Sequence, residues 1–313
     1  MNIFNLIKNY QKVCIYRHVN PDLDALGSQY GMAYIIKQLF PDIKICIKGE
    51  VNEELLKKLP IDEQFDQFNE LSDCLAIITD TANKERIDGN DYQLCKEILK
   101  IDHHIVVDSY GNYNIEFPQK SSASQIIVEL FQQYQTVKLN IKAASCLYMG
   151  MIADSNRFMY SSTDASTLKS AAYLLECGIN IEILHQQMYM RKEADLKIQQ
   201  YILNHYDHND LGIAYYVLSQ IDLEKLNITR SRGSDFVNLL ANIEEYQIWL
   251  AVTENVENNT WRVSMRSRQI PINEIAAKFN GGGHQLASGA TLNNFEELDL
   301  LIEELENAIR KYQ

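Results

Sequence analysis

No run of about 18 consecutive apolar residues occurs in the chain, so no membrane-spanning helix is expected. The opening segment MNIFNLIKNYQK lacks a basic start, a long apolar core and a small-residue cleavage site, so no secretory signal is expected. Glycine and proline are scarce, 13 and 5 of 313 residues, which excludes collagen-like and low-complexity chains. Basic residues are outnumbered, 29 Lys and Arg against 42 Asp and Glu, for a net charge of −13. Such a surface repels polyanions and argues against binding long duplex nucleic acid. A small anionic substrate remains admissible where metal ions or a local Arg cluster reverse the sign inside a cleft. Cys14, Cys46, Cys74, Cys95, Cys146 and Cys177 form no C-x-x-C pair and mostly sit in apolar segments. That pattern excludes a Cys-type zinc site and fits reduced, buried thiols in a cytoplasmic protein.

What is present is an ordinary globular composition, 46% apolar and 23% charged, on a chain long enough for two domains. The first half alternates strand and helix signals. Strands are expected at 12–18, 42–49, 74–80 and 97–104, and helices at 28–40, 122–134 and 143–155. This order predicts an α/β fold with a parallel sheet covered by helices. Residues 180–208 read as a polar helical linker. A second alternation follows: strands at 211–219, 246–255 and 260–268, helices at 234–243 and 272–279, and a closing helix that ends the chain. The division is therefore a domain over 1–185, a linker over 186–210 and a smaller α/β domain over 211–313. No fixed-period repeat is visible.

The chemistry sits where the first-half strands end. Strand one ends at His18, with Asp22 and Asp24 in the next turn. Other strands end at Asp80 and at Asp102-His103-His104, and a helix ends at Asp154. The carboxyl ends of parallel strands form one rim, where ligand crevices lie. Each feature alone has a plain reading: an Asp after a strand is ordinarily an N-cap or turn residue, and a DHH triplet can be a solvated strand end. Together, four segments place carboxylates at one rim, and packed carboxylates repel unless a cation neutralises them. Carboxylate and imidazole donors without thiolates suit Mn²⁺, Fe²⁺ or Co²⁺. A pair of ions about 3.5–4 Å apart needs a bridging carboxylate and a bridging water. Such a pair lowers the pKa of water and clamps a phosphate for in-line attack.

The segments HVNPDLDALGS, TDTAN, DHH and ADS resemble the successive motifs of the DHH phosphoesterases. GGGHQLASGA resembles the glycine-rich signature of their associated C-terminal domain. Order and spacing over nearly the whole chain are most similar to the NrnA-like group, oligoribonucleases (nanoRNases) with 3′-phosphoadenosine 5′-phosphate (pAp) phosphatase activity. The resemblance implies two Mn²⁺ ions, with Mg²⁺ or Co²⁺ as substitutes. One ion would take His18, Asp22 and Asp80, and the other Asp24, Asp80, His103 and Asp154, with Asp80 bridging. Asp102 would orient an imidazole, and His104 would contact the scissile phosphate or protonate the leaving group. In the second domain, Arg266, Gly281, Gly282, Gly283 and His284 would bind the far end of the substrate. Leu23 stands where the family often has Gly, which argues against a positive φ there. By the same resemblance a homodimer through the first domain is expected.

The glycine run can bring backbone N–H groups close to an anion. Arg262, Arg266 and Arg268 alternate along one strand and share a face, a phosphate clamp inside an acidic protein. Aromatic residues Tyr215, Tyr216, Tyr246 and Trp249 read as core. Chemistry in one domain and end recognition in the other favour short substrates: short RNA oligonucleotides cut to 5′-mononucleotides, or pAp converted to AMP. The enzyme alternatives are a phosphodiesterase of linear or cyclic dinucleotides and a pyrophosphatase, the latter disfavoured by the GGGH signature. The non-enzyme alternative is a nucleotide-binding sensor, which predicts missing metal ligands.

Overall fold

The computed structural model describes residues 2–50, 53–134 and 137–312. The chain forms two compact units, Met1–Met190 and Arg191–Gln313. In the first, α1 (Ile3–Ile7) leads into β1 (Lys12–Tyr16), α2 (Leu23–Leu39), β2 (Lys44–Ile47), α3 (Glu53–Leu56), β3 (Leu75–Thr79), β4 (Glu97–Asp102) and β5 (Tyr113–Glu116). Helices α4 (Ala123–Tyr134), α5 (Ile141–Asp154), α6 (Ala165–Glu176) and α7 (Ile181–Tyr189) follow. The five strands form one parallel sheet in the order β2-β1-β3-β4-β5. The chain steps from β1 outward to β2 and then returns to the other side of β1 with β3. The gap between β1 and β3 is therefore a topological switch point, where an open α/β sheet leaves a crevice at its carboxyl edge.

Strand β5 was not legible in the sequence; its residues are all half-buried, so it lacks the apolar run of a central strand. Helix α2 begins earlier than its apolar run suggests, because Asp22 caps it: the Asp22 side chain accepts hydrogen bonds from the Asp24 and Ala25 amides (2.9 and 3.0 Å). One face of the sheet packs on the large core formed with α1, α2, α4 and α5. The other face buries Cys14, Tyr16, Cys46 and Cys74 with Tyr92.

Helices α2 and α5 approach closely through glycine. A Cβ on Gly27 would lie 2.5 Å from the Cys146 carbonyl oxygen and 3.1 Å from the Gly150 nitrogen. This contact brings the start of α2, which carries Asp24, beside the end of α5, which carries Asp154.

The expected linker helix is instead two helices: α7 belongs to the first unit and α8 (Ala194–His205) to the second, with 190–193 non-helical between them. The second unit continues with β6 (Asp207–His208), β7 (Ile213–Leu218), α9 (Gln220–Leu226), α10 (Arg230–Ser234), β8 (Ile248–Asn255), β9 (Thr260–Ser267), α11 (Asn273–Lys278), β10 (Gly282–His284), β11 (Ala287–Leu292) and α12 (Glu297–Tyr312). Its six strands form a mixed sheet, β10-β11-β9-β8-β7-β6, in which β7 and β8 run parallel and the other pairs antiparallel. The helix expected over 234–243 is a correction: α10 ends at Ser234 and a 3₁₀ turn spans Val237–Leu240. The glycine run and the residues after it form the β10–β11 hairpin. Tyr216, Tyr246 and Trp249 are buried and Tyr215 packs against the core, as their apolar context implied. Among the described residues no helix is long and apolar enough to cross a membrane.

Candidate metal centre and substrate-binding face

Just beyond the ends of β1, β3 and β4, two histidines point the same kind of edge at one carboxylate. His18 Nδ1 faces the Val19 carbonyl oxygen (2.8 Å), and His103 Nδ1 faces the Lys120 carbonyl oxygen (3.3 Å). A carbonyl only accepts, so each Nδ1 donates to it and the opposite edge, Nε2, faces the acidic groups. His18 Nε2 lies 3.4 Å from Asp80 Oδ2 and 3.9 Å from Asp22 Oδ2. His103 Nε2 lies 3.3 Å from both Asp80 Oδ1 and Asp154 Oδ2. These separations exceed the roughly 2.7–2.9 Å of a charge-assisted hydrogen bond. They leave the donor atoms close enough together for the group to hold a cation. Asp80 Oδ1 is buried without a hydrogen-bond partner, as expected of an atom whose partner is an ion. The residues fit metal: three donor groups that could hold an ion are His18, Asp22 and Asp80; Asp24, His103 and Asp154; and Asp80, His103 and His104.

Asp80 occupies the left-handed region (φ 51°) immediately after β3. Asp is among the few non-glycine residues that tolerate this conformation, and here it turns the carboxylate back over the strand ends. Leu23, by contrast, is not among the described residues with positive φ.

Asp24 is fully buried and receives backbone amides at the start of α4: Ala123 N donates to Oδ2 (2.7 Å) and Ser124 N to Oδ1 (3.0 Å). The N–H groups of the helix's first turn, which have no partner within the helix, thus support its negative charge. Asp102 Oδ1 accepts from His104 Nδ1 (2.8 Å), so it orients that ring. Four sequence-named metal residues, Asp24, Asp80, His103 and Asp154, therefore meet in one cluster, and His18 and Asp22 join it through Asp80. Asp22 is both an N-cap and a neighbour of the imidazole, so the plain and the chemical readings hold together.

Crowding shifts the titrations. Burial, with the Asp80 and Asp154 charges, pushes Asp24 well above the usual carboxylate range. Burial, with the Asp80 and Asp22 charges, raises Asp154 to about 7, against the pull of His103. Burial opposes protonation of His103 and His18, yet the Asp80 carboxylate outweighs it and raises both. Asp80, held by the imidazoles against its own burial, is lowered. All four raised groups bind protons more tightly in the folded state than unfolded. The carboxyl contributions therefore grow as pH falls through the folded values, and the imidazole contributions are fully present only below about pH 6.5. Protein stripped of metal by a chelator should show a melting temperature that rises from pH 8 to pH 6, and saturating Mn²⁺ should flatten or reverse that slope. Calorimetry at both metal conditions checks this; a metal-free melting temperature that falls over the window contradicts the cluster.

Two further residues bear on the site and escaped the sequence reading. Lys100 on β4 is fully buried, with Nζ donating to the carbonyl oxygens of Ala82 (3.0 Å) and Asp108 (2.9 Å) and to Glu116 Oε1 (2.7 Å), and lying 3.3 Å from Asp102 Oδ2. A lysine inside the apolar run EILKID is the signal that could have flagged it. Gly150 lies in α5, where glycine costs helix stability and so needs a reason. A Cβ there would sit 2.2 Å from Ser124 Oγ and 2.7 Å from Asp24 Oδ1. Gly150→Ala should therefore displace Asp24 and weaken metal affinity by about 10- to 100-fold, the scale of outer-shell changes. Metal titration by calorimetry checks this; unchanged affinity would remove Asp24 from the ligand set.

In the second unit, helices α8–α10 and the 3₁₀ turn pack on the β7–β8 half of one sheet face. On the same face β9 carries Arg262, Ser264 and Arg266, and the registers Arg262↔Thr291, Ser264↔Gly289 and Ala287↔His284 extend it to β10. The glycine run divides by role. A Cβ on Gly281 would meet the Gly289 carbonyl oxygen at 2.0 Å, and one on Gly283, at φ +140°, the Ala287 carbonyl oxygen at 2.7 Å. Those two are required by the hairpin, whereas a Cβ on Gly282 would enter open space. Arg266 and His284 lie on either side of Ala287 in the strand pairing, whereas Gly282 pairs with Gly289. Arg268 is engaged otherwise: its guanidinium donates to the carbonyl oxygens of Ile243 (2.6 Å) and Glu244 (3.4 Å), fixing a loop. Of the three arginines read from the sequence as sharing a face, Arg268 is thus held against a loop, and Arg262 and Arg266 stand on the face that β9 shares with β11.

A parallel sheet with acid and imidazole at its switch point, followed by a glycine-hairpin domain, defines a class. Residues 12–151 match the DHH family, N-terminal domain, and residues 210–311 match the DHHA1 domain. The chain belongs to the DHH phosphoesterase family. It is 34% identical to the bifunctional oligoribonuclease and PAP phosphatase NrnA of Bacillus subtilis over 99% of both chains. It is 36% identical to the probable bifunctional oligoribonuclease and PAP phosphatase NrnA of Streptococcus mutans over 97% of both chains. The fold is shared with a crystal structure of an exopolyphosphatase-related protein from Bacteroides fragilis, at a TM-score of 0.86 and 23% identity over 99% of this chain and 95% of that one.

Proposed function

We propose that the chain is a two-metal, Mn²⁺-dependent phosphohydrolase that degrades short oligoribonucleotides to 5′-mononucleotides and dephosphorylates pAp to AMP in the cytoplasm. The observation that carries this is the Asp80 carboxylate, buried and flanked by the Nε2 edges of His18 and His103. Near-full-length similarity to proteins named oligoribonuclease and PAP phosphatase supports the substrates.

His18, Asp22 and Asp80 would hold one ion, and Asp24, Asp80, His103 and Asp154 the other. Mixed carboxylate and imidazole donors favour Mn²⁺, with Mg²⁺ or Co²⁺ as substitutes. Two such ions supply Lewis-acid polarisation of the phosphoryl group and a nucleophile at neutral pH. The chain's own residues do the rest. Asp80 supplies one oxygen to each side of the centre. The Val19 and Lys120 carbonyls lock His18 and His103 in the ligating tautomer. Asp102 fixes His104 through Nδ1, so that ring addresses the scissile phosphate and the leaving oxygen with its opposite edge. Arg266, His284 and the open backbone at Gly282 receive the substrate's far phosphate, while Gly281 and Gly283 shape the hairpin that presents them.

The test is a substrate panel in Mn²⁺: pAp, di- to tetraribonucleotides, a cyclic dinucleotide and pyrophosphate, with products separated chromatographically. AMP from pAp and 5′-mononucleotides from the oligomers are expected. Turnover of pyrophosphate or the cyclic dinucleotide alone would replace this reading, and tight binding without turnover under every metal would make the protein a sensor.

A further inference from the structure

Four of the six cysteines meet on the sheet face opposite the large core. Cys14 on β1 stands directly across from Cys46 on β2 in the parallel register. Cys74 immediately precedes β3, and Cys95 ends the 3₁₀ turn (Asp91–Leu94) that leads into β4. Cys14, Cys46 and Cys74 are fully buried, whereas Cys95 is partly exposed. Cys14 is the hub: the Cys46, Cys95 and Cys74 thiols each make a hydrogen-bonding contact with it. The thiols do not form a metal site, because among the described residues the donor groups close enough to hold an ion all lie at the acidic rim.

The thiols are not equivalent. Cys14, donating to Cys95, lowers the Cys95 pKa against burial, with Tyr16 and Lys48 assisting and Asp91 opposing. Cys14 itself is raised by its contacts with Cys46 and Cys95 and by burial. Cys177 is the contrast: it is also partly exposed, but burial raises its pKa. An accessible thiol that favours its thiolate, beside a buried thiol that keeps its proton, is the arrangement of an attacking and a resolving cysteine. Cys46 touches Cys14 too, but it is buried and fixed across the β1–β2 ladder. Cys95 lies outside the strands, so its backbone can shift to meet the geometry of a disulfide.

We propose that Cys95 and Cys14 form a reversible disulfide in response to hydroperoxides. The Cys95 sulfur attacks one peroxide oxygen, the O–O bond breaks, and the other oxygen leaves as hydroxide or alkoxide. The Cys14 sulfur then attacks the sulfenic sulfur of Cys95. The S–S bond forms, the S–O bond breaks, and hydroxide leaves with the Cys14 proton as water. Two thiols together lose two electrons, and the peroxide takes them up. The bond ties down the far end of the segment that runs from β3 to β4. The near end of that segment is already pinned beside the metal centre, where Ile87 bridges to His18 and Val19 N donates to the Arg86 carbonyl oxygen (2.7 Å).

The experiment treats the reduced full chain with hydrogen peroxide, with and without dimedone, and digests it without reductant for mass spectrometry. A linked Cys14–Cys95 peptide pair, two hydrogens lighter than the reduced peptides and lost on adding dithiothreitol, is expected. In Cys14→Ala, Cys95 should stop at the sulfenic acid and be trapped by dimedone. In Cys95→Ser the linked pair should vanish; this partly exposed position keeps the test open if alanine at the buried Cys14 fails to fold. Iodoacetamide should label wild-type Cys95 about ten-fold faster than Cys177, the thiolate gained for one pKa unit. Peroxide that leaves Cys14 and Cys95 unlinked, a Cys95 bond between chains, or a Cys95 no faster than Cys177 overturns the pair. These readouts are chemical and do not depend on turnover, so they stand apart from the function proposed above.

Discussion

Asp80→Ala should lower kcat on pAp by on the order of 10⁴, the scale seen when one member of a tightly cooperating catalytic set is removed. Asp80→Asn should lose nearly as much. The pair separates chemistry from folding. Asp80 sits at φ 51°, where alanine is strained by about 1–2 kcal/mol and asparagine is not. The Ala variant should therefore melt slightly lower than wild type and the Asn variant close to it, with both chains folded by circular dichroism. What both lose is the negative charge facing His18 and His103 and the shared oxygen pair between the two halves of the centre. Steady-state kinetics at saturating Mn²⁺ checks this; activity retained in either variant would take the bridging role away from Asp80.

The second large effect is expected at Lys100, which touches no proposed ligand. Lys100→Met should destabilise the protein by about 3–5 kcal/mol, the cost of breaking one side of a buried ion cluster. In a unit of this size that lowers the melting temperature by roughly 6–20 °C. The ammonium ties Asp102 and Glu116 to the Ala82 and Asp108 carbonyls and stacks over the Tyr110 ring at 4.8 Å. Removing it leaves two carboxylates facing each other without a cation and frees the two segments that follow β3 and β4. Because Asp102 orients His104, kcat should fall in the surviving folded fraction while metal affinity holds. Thermal melts with metal titration check this; a variant as stable as wild type would show that the cluster is solvated in solution.

How much of this was legible in the sequence follows from what each residue does. Strands β1, β3 and β4 were readable because central strands are near-continuous apolar runs, β2 at the sheet edge because it alternates, and the rim residues because they interrupt those runs at the ends. The β10–β11 hairpin was not, since its glycines serve close backbone contact with β11 and carry no side-chain pattern. The broken helix at 190–193 was masked by polar residues that suit either helix or turn. Asp22 looked like a cap and is one, and only three-dimensional proximity adds His18 to it. Arg268 read as a clamp because alternation gives the face of a side chain but not the carbonyls that occupy it. Lys100 and Gly150 each broke a local rule, a charge in an apolar strand and a glycine in a helix, and such breaks cluster near functional sites.

The most direct test is crystallography of the protein grown with Mn²⁺, with data collected at the manganese absorption edge. Two anomalous peaks about 3.5–4 Å apart, with one oxygen of Asp80 on each, are the predicted result. A single peak at saturating metal, or two peaks with Asp80 outside both coordination shells, would contradict the account.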